Sequence, residues 1–217
     1  MSHAAKMINS TTYESDHREE SKEAAKKDMK ANIFGASGTA FSPDGSTVAI
    51  GTRDMIWVAD TGTFQTKARL SYLSAAHFGG RKSLIFIGNE HLLIGADGVV
   101  MLWDLREGLV THRLDLTSRM QSPRAMAWSE STQTLAYSSG AGANPVNVVH
   151  VDENGFGSVR GIPEFKLAPN ELAFSMDGQY LAAAGDENSV SIRRVDNGAL
   201  FGDLPTRGIV TELEVVK

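Results

Sequence analysis

The chain has 217 residues, of which 41% are hydrophobic and 22% charged, and its formal net charge is −5. That is enough for one domain with a sizeable core, and no basic surplus marks a nucleic-acid binder. The complete lack of cysteine excludes disulfides, thiolate nucleophiles and Cys-based zinc sites.

Met1-Ser2-His3-Ala4-Ala5-Lys6-Met7-Ile8 has no apolar core of the secretory kind. No stretch approaches the ~18 consecutive apolar residues of a membrane span, so the expected setting is the cytoplasm or nucleus. Asn9-Ser10-Thr11 matches a glycosylation acceptor and, without a secretory signal, reads as coincidence. Residues 1–32 form a charged N-terminal tail. Asp16 followed by Glu19 resembles a capping box, and Glu23 with Lys27 would support a helix slightly. Ala24, Ala25, Met29 and Ala31 are too small to bury a useful face. The tail therefore reads as a solvated, disordered or partly helical segment, or as a helix that docks on a partner.

Residues 33–217 follow a different pattern. Phe41-Ser42-Pro43-Asp44-Gly45 is echoed by Phe86-Ile87-Gly88-Asn89-Glu90, Trp128-Ser129-Glu130-Ser131-Thr132 and Phe174-Ser175-Met176-Asp177-Gly178. The aromatic positions lie 45, 42 and 46 residues apart. Each copy ends one apolar run and opens a tight turn into another.

In the first unit, strands are expected at 39–41, 47–51, 55–58 and 64–70. In the second, His91–Gly95 turns through Asp97-Gly98 into Val99–Trp103, and Glu107-Gly108 turns into Leu109–Leu114. The third offers 134–137 and 146–149, and the fourth 180–185 and 189–192. Gly62, Gly108, Gly155 and Gly198, spaced by 46, 47 and 43, are read as the glycines closing equivalent third-to-fourth strand turns. Trp57 and Trp103 each precede their glycine by five residues. Four short strands per unit, repeated without helical pattern, predict an all-β chain of the β-propeller kind. The units are about 38–75, 78–120, 121–165 and 168–207, with a partial fifth at 208–217 that supplies one extra strand.

These residues resemble the WD-repeat family. Phe41 to Gly45 and Phe174 to Gly178 are similar to its first-strand ending, and Trp103-Asp104 to its naming dipeptide. His77 stands where the family's Gly-His histidine falls, with Ala76 in place of the glycine, and Asp97 matches its structural aspartate. The resemblance implies a hydrogen-bonded tetrad to which His77, Asp97 and Trp103 would contribute. Ile94 holds the hydroxyl position, so the tetrad should be incomplete. Where the second unit has Trp-Asp, the others are read as Trp57-Val58, His150-Val151 and Arg193-Arg194. Four units are fewer than the family usually closes with. An open arc, a compact ring, a truncated propeller and completion by a second copy are all compatible with the count.

No catalytic, cofactor or metal-ligating residue is assigned. The histidines, His3, His17, His77, His91, His112 and His150, show no metal-binding spacing, and His150 reads as a packed core histidine. Asp152-Glu153-Asn154-Gly155 and Asp186-Glu187-Asn188 lack the alternating ligands of a calcium loop. Gly35-Ala36-Ser37-Gly38 lacks the lysine of a phosphate loop. Asp54, Asp97 and Asp186 share hairpin positions. Arg193 and Arg194, adjacent on a strand, point to opposite faces and read as drift at an exposed edge or as a binding contact. The resemblance implies a non-catalytic scaffold for a protein or peptide partner, without cofactor or membrane, and with self-association as a route to completing the ring. The alternatives are a propeller enzyme or small-ligand binder with an axial site, and a truncated propeller with little activity of its own.

Overall fold

The computed structural model describes residues 38–52, 55–71, 83–96, 98–116, 123–138, 145–163, 165, 168–185, 189–207, 210 and 213. These residues form strands and turns and no helix. The tail at 1–32, His77 and Asp97 lie outside them, as does most of the partial fifth unit. Val210 and Leu213 are described there, both half-buried and outside any strand.

Sheet 1 is an antiparallel meander of β1 (Gly38–Phe41), β2 (Thr47–Gly51), β3 (Met55–Asp60) and β4 (Thr66–Ser71). Sheet 2 repeats it with β5 (Ser83–Ile87), β6 (His91–Ala96), β7 (Val99–Asp104) and β8 (Leu109–Asp115). Sheet 3 contains β9 (Met126–Ser129), β10 (Thr134–Ser138) and β11 (Val146–Asp152), and its outer position is shared by β12 (Gly155–Phe156) and β13 (Arg160–Ile162). Sheet 4 is β14 (Glu171–Phe174), β15 (Tyr180–Ala184), β16 (Ser189–Arg194) and β17 (Leu200–Pro205).

The first strands touch in series, β1 against β5, β5 against β9 and β9 against β14. No comparable contact joins β14 to β1 among the described residues. Between each pair of sheets lies an apolar layer fed by strands that are buried on both faces, which is why their middle strands read as continuous apolar runs. Ile56 and Val58 meet Phe86, Ile94 and Trp103 between sheets 1 and 2. Leu93 and Leu102 meet Leu135, Tyr137 and Val149 between sheets 2 and 3. Ala136, Val146 and Val148 meet Leu172, Phe174 and Leu181 between sheets 3 and 4. In every layer the motif aromatic of the later sheet faces back onto the sheet before it.

The observed register revises the glycine landmark. Asp60 pairs with Thr47 as Asp104 pairs with His91. Both outer pairings then carry a bulge one residue before that aspartate, at Val58/Ala59 and Leu102/Trp103. The position of Gly108 (φ 68°) in sheet 1 is therefore held by Phe64 (φ 58°), and Gly62 lies two residues earlier. The third sheet departs further. β11 runs on to Asp152 and closes a two-residue hairpin, Val151 facing Phe156 and Asp152 facing Gly155, so Gly155 belongs to a different turn. Gly198 (φ 74°) does match Gly108, with the bulge at Ile192/Arg193. By the same register the counterparts of Trp103-Asp104 are Ala59-Asp60, Val149-His150 and Arg193-Arg194. Trp57 is instead the counterpart of Met101, each paired with the isoleucine that precedes a glycine, Gly51 or Gly95, in the second strand.

Candidate functional site

The motif turns come first, because they gather most of the polar chemistry. In the first, the Ser42 hydroxyl donates to Asp44 Oδ1 at 2.6 Å and accepts from the Thr47 amide at 3.0 Å. Asp44 also accepts from the Ser46 amide at 2.9 Å and hydroxyl at 3.0 Å. Gly45 supplies the left-handed residue (φ 70°) that a side chain would resist. The fourth turn repeats this apart from the Ser46 hydroxyl bond, Gln179 standing in the place of Ser46. Ser175 donates to Asp177 at 2.6 Å, Gln179 N donates to Asp177 at 3.0 Å, and Gly178 has φ 70°. The hydroxyl bonds from Ser42 and Ser175, then the amides, hold these two carboxyls below the usual carboxylate range.

The other two turns are built differently. The second is one residue shorter, with Gly88 (φ 54°) taking the left-handed position directly after Ile87. In the third, Gln133 (φ 49°) takes it, while Ser129 interacts with the Ser131 and Thr132 hydroxyls at 3.1 and 2.9 Å. Neighbouring turns touch. The Asp44 amide donates to Asn89 Oδ1 at 3.3 Å, and Gly178 abuts Ser129 and Thr132.

The turns that follow the third strands engage Asp60, Asp104 and Asp152. Asp60 accepts from the Thr63 and Gly62 amides and Asp104 from the Arg106 and Glu107 amides. The Thr63 amide is the main reason the Asp60 carboxyl sits below its ordinary range. In the Asp152 turn the Asn154 amide donates to the carboxylate at 2.8 Å, so this segment is turn chemistry. Asp54 and Asp186 lie outside the described residues.

The three described histidines, His91, His112 and His150, do not converge. His91 Nε2 stands 3.8 Å from Asp104, and His112 packs against Gly155. His150 was expected in the core but is exposed, 3.9 Å from Asp152. Its burial fails because it occupies the position of Asp104, where the strand leaves the apolar layer. Among the described residues no group of three or more His, Asp or Glu side chains lies close enough to hold a metal. Among the described residues the buried Trp103 indole N–H has no hydrogen-bond partner; His77 and Asp97, the other expected members of the tetrad, lie outside them.

Arg193 and Arg194 separate as strand alternation requires. Arg193 is buried in the Trp103 position, donating to the Gly198 carbonyl at 3.0 Å with its guanidinium over the Phe165 ring. Arg194 is exposed and clasps Asp196 through two bonds of 3.1 and 2.8 Å. The pairing pulls the Asp196 carboxyl below its ordinary range and raises Arg194.

What remains is a set of exposed or half-exposed apolar side chains on sheets 1 and 4, beside buried residues of the same faces. Phe86 and Phe174 are 6% and 7% exposed, but Phe41 is 65% exposed. Trp57, on the same outer face of sheet 1, is buried with the Arg69 guanidinium 4.3 Å above its ring. On sheet 4, Ala182 and Ile192 are paired neighbours on the face turned away from sheet 3. Their counterparts, Ala49 and Val58, Leu93 and Leu102, and Ala136 and Val148, are all buried beneath the following sheet. Ala182 and Ile192 are half-exposed. Phe201 packs on Tyr180 with ring centroids 4.6 Å apart yet remains 65% exposed, and Leu204, paired with Val190, is exposed on the same face. Sequence reading missed this surface because Ala182 and Ile192 look like core residues by pattern. The available signal was in β17. Its counterparts β4 and β8 carry Lys67, Arg69 and Arg113, the usual protection of an outer strand, whereas Leu200–Pro205 has no basic residue.

No protein-family model matches the chain, and no curated protein matches it. Among the described residues no helix is long and apolar enough to cross a membrane.

Proposed function

We propose that this chain is an interaction scaffold of β-propeller type, similar in plan to WD-repeat proteins, that binds a protein or peptide partner without catalysing a reaction. The observation that carries the reading is the half-exposed apolar face of sheet 4, in register with positions that are buried in the other three sheets. Burying one large apolar side chain from such a face contributes roughly 1.5–3 kcal/mol, so several together give an anchor. The serial stacking of four meanders by their first strands supports the propeller plan. Among the described residues, Asp44, Asp60, Asp104, Asp152, Asp177 and Asp196 are engaged by hydrogen bonds at turns. The cytoplasm or nucleus suits a chain without cysteine.

The test is affinity purification with mass spectrometry on three forms: the whole chain, the chain without residues 1–32, and the Phe201→Asp/Leu204→Asp variant. The expected result is a captured set that survives loss of the tail and disappears with the two substitutions. An unchanged set in the substituted form would sink the reading.

A further inference from the structure

Asn154-Gly155 and Asn197-Gly198 are the two places where the chain puts glycine directly after asparagine. An asparagine side chain is open to attack by the next backbone nitrogen, and glycine hinders that attack least because it has no Cβ. Both glycines lie in closed turns, Gly155 opposite Asp152 and the Gly198 amide donating to the Arg194 carbonyl at 2.9 Å. The side chains differ. Asn197 Oδ1 accepts from the Ala199 amide at 2.9 Å. Asn154 is exposed, and its carboxamide makes no hydrogen bond among the described residues; only its backbone amide is engaged, donating to Asp152 at 2.8 Å. We propose that Asn154 is a site of self-modification, its carboxamide closing on the Gly155 nitrogen to a succinimide that water opens to aspartate or isoaspartate.

The Gly155 nitrogen gives up its proton and forms a bond to Asn154 Cγ. The bond from Cγ to Nδ2 breaks, and ammonia leaves. Water then adds to one of the two ring carbonyls. One water is taken up and one ammonia released, so no other reactant is needed. The packing keeps the reactive pair in place. A Cβ on Gly155 (φ 99°) would lie 2.3 Å from His112 Cδ2, so a bulkier residue that closes the ring more slowly does not fit unless His112 moves.

Either product strains the turn that forms it. Isoaspartate carries the backbone through the side-chain carbon and lengthens a two-residue hairpin loop, whose length sets the register of β11 on β12. That register places Phe156 opposite Val151 and against the layer of Leu93, Leu102 and Val149. Aspartate would put a third carboxylate beside Asp152 and Glu153. The modification therefore loosens the packing between sheets 2 and 3.

The whole chain, held for weeks at neutral pH and body temperature, is sampled, digested and read by mass spectrometry, with aspartyl and isoaspartyl peptides separated by elution. Asn154 should convert, and Asn197 should lag roughly tenfold, the factor for first opening one hydrogen bond. In the denatured chain both sites, each preceded by an acidic residue, should convert at similar rates. Equal rates in the folded chain, or conversion of Asn197 first, would overturn the proposal. The structural consequence is read with Asn154→Gln, an exposed change that keeps the carboxamide but must close a larger ring. Ageing should lower the melting temperature of the wild type and leave that of the variant in place. An equal fall in both would show that ageing acts elsewhere and overturn the assignment to this turn.

Discussion

Gly178 sits so close to Ser129 that a Cβ on the glycine would lie 2.4 Å from the serine hydroxyl. Two turns 46 residues apart in register (as Phe174 is from Trp128) are thereby pressed together across the layer between sheets 3 and 4. Gly45 has the same φ of 70° but open space around it. The pair separates two costs that a repeat alone cannot distinguish. Gly45→Ala should lose about 1–2 kcal/mol for a side chain in the left-handed region. Gly178→Ala should lose more, because the contact must also open. Chemical denaturation of the two variants measures the difference; equal losses would mean the turns are not in contact.

Phe41 and Phe174 hold the same motif position with opposite burial. Phe174→Ala should cost about 3–5 kcal/mol, as for a buried aromatic in a packed layer. Phe41→Ala should stay within about 0.5 kcal/mol in the dilute chain, as for a surface change. Urea midpoints at low protein concentration test this directly.

Asp44 and Asp177 bind their turns as carboxylates, and their folded pKa values lie below the unfolded one. The stability they contribute is therefore fully present above the unfolded value of about 3.9. It is lost as pH falls through the folded values. Stability should decline from about pH 4 downwards, and the Asp44→Asn/Asp177→Asn variant should decline less steeply in that interval. Identical slopes in thermal melts across this interval would show that the two carboxylates do not act through their charge.

Arg193 and Arg194 should respond differently to truncation. Arg193→Ala removes the donor to the Gly198 carbonyl and the packing on Phe165, and should cost about 2–3 kcal/mol. Arg194→Ala breaks an exposed pair with Asp196 and should cost at most about 1 kcal/mol. Reversal of that order in denaturation would contradict the assignment of Arg193 to the interior.

The strand order was legible because alternating apolar runs and Ser-Pro-Asp-Gly chemistry report local backbone needs. Thr47–Gly51 is found as expected, and the other principal runs are met within a few residues. The equivalences between units were less legible. Phe64 accepts a left-handed conformation that sequence reading assigns to a glycine, so Gly62 was an attractive but displaced marker. In sheet 3, two extra residues at the end of β11 move Gly155 into another turn, which residue spacing alone cannot reveal. The candidate surface was hidden for a different reason. Ala182 and Ile192 have the composition of core residues, and only the lack of a described covering sheet distinguishes them from Leu93 and Leu102.

Hydroxyl-radical footprinting, read residue by residue on the free chain and on the chain with its captured partner, tests the central claim on the unmodified protein. Phe86 and Phe174 should be protected throughout. Phe201 and Leu204, both exposed in the chain, should be reactive in the free protein and become protected when a partner binds. If Phe201 and Leu204 stay reactive when the partner is bound, the sheet 4 face is not the binding surface and the account fails.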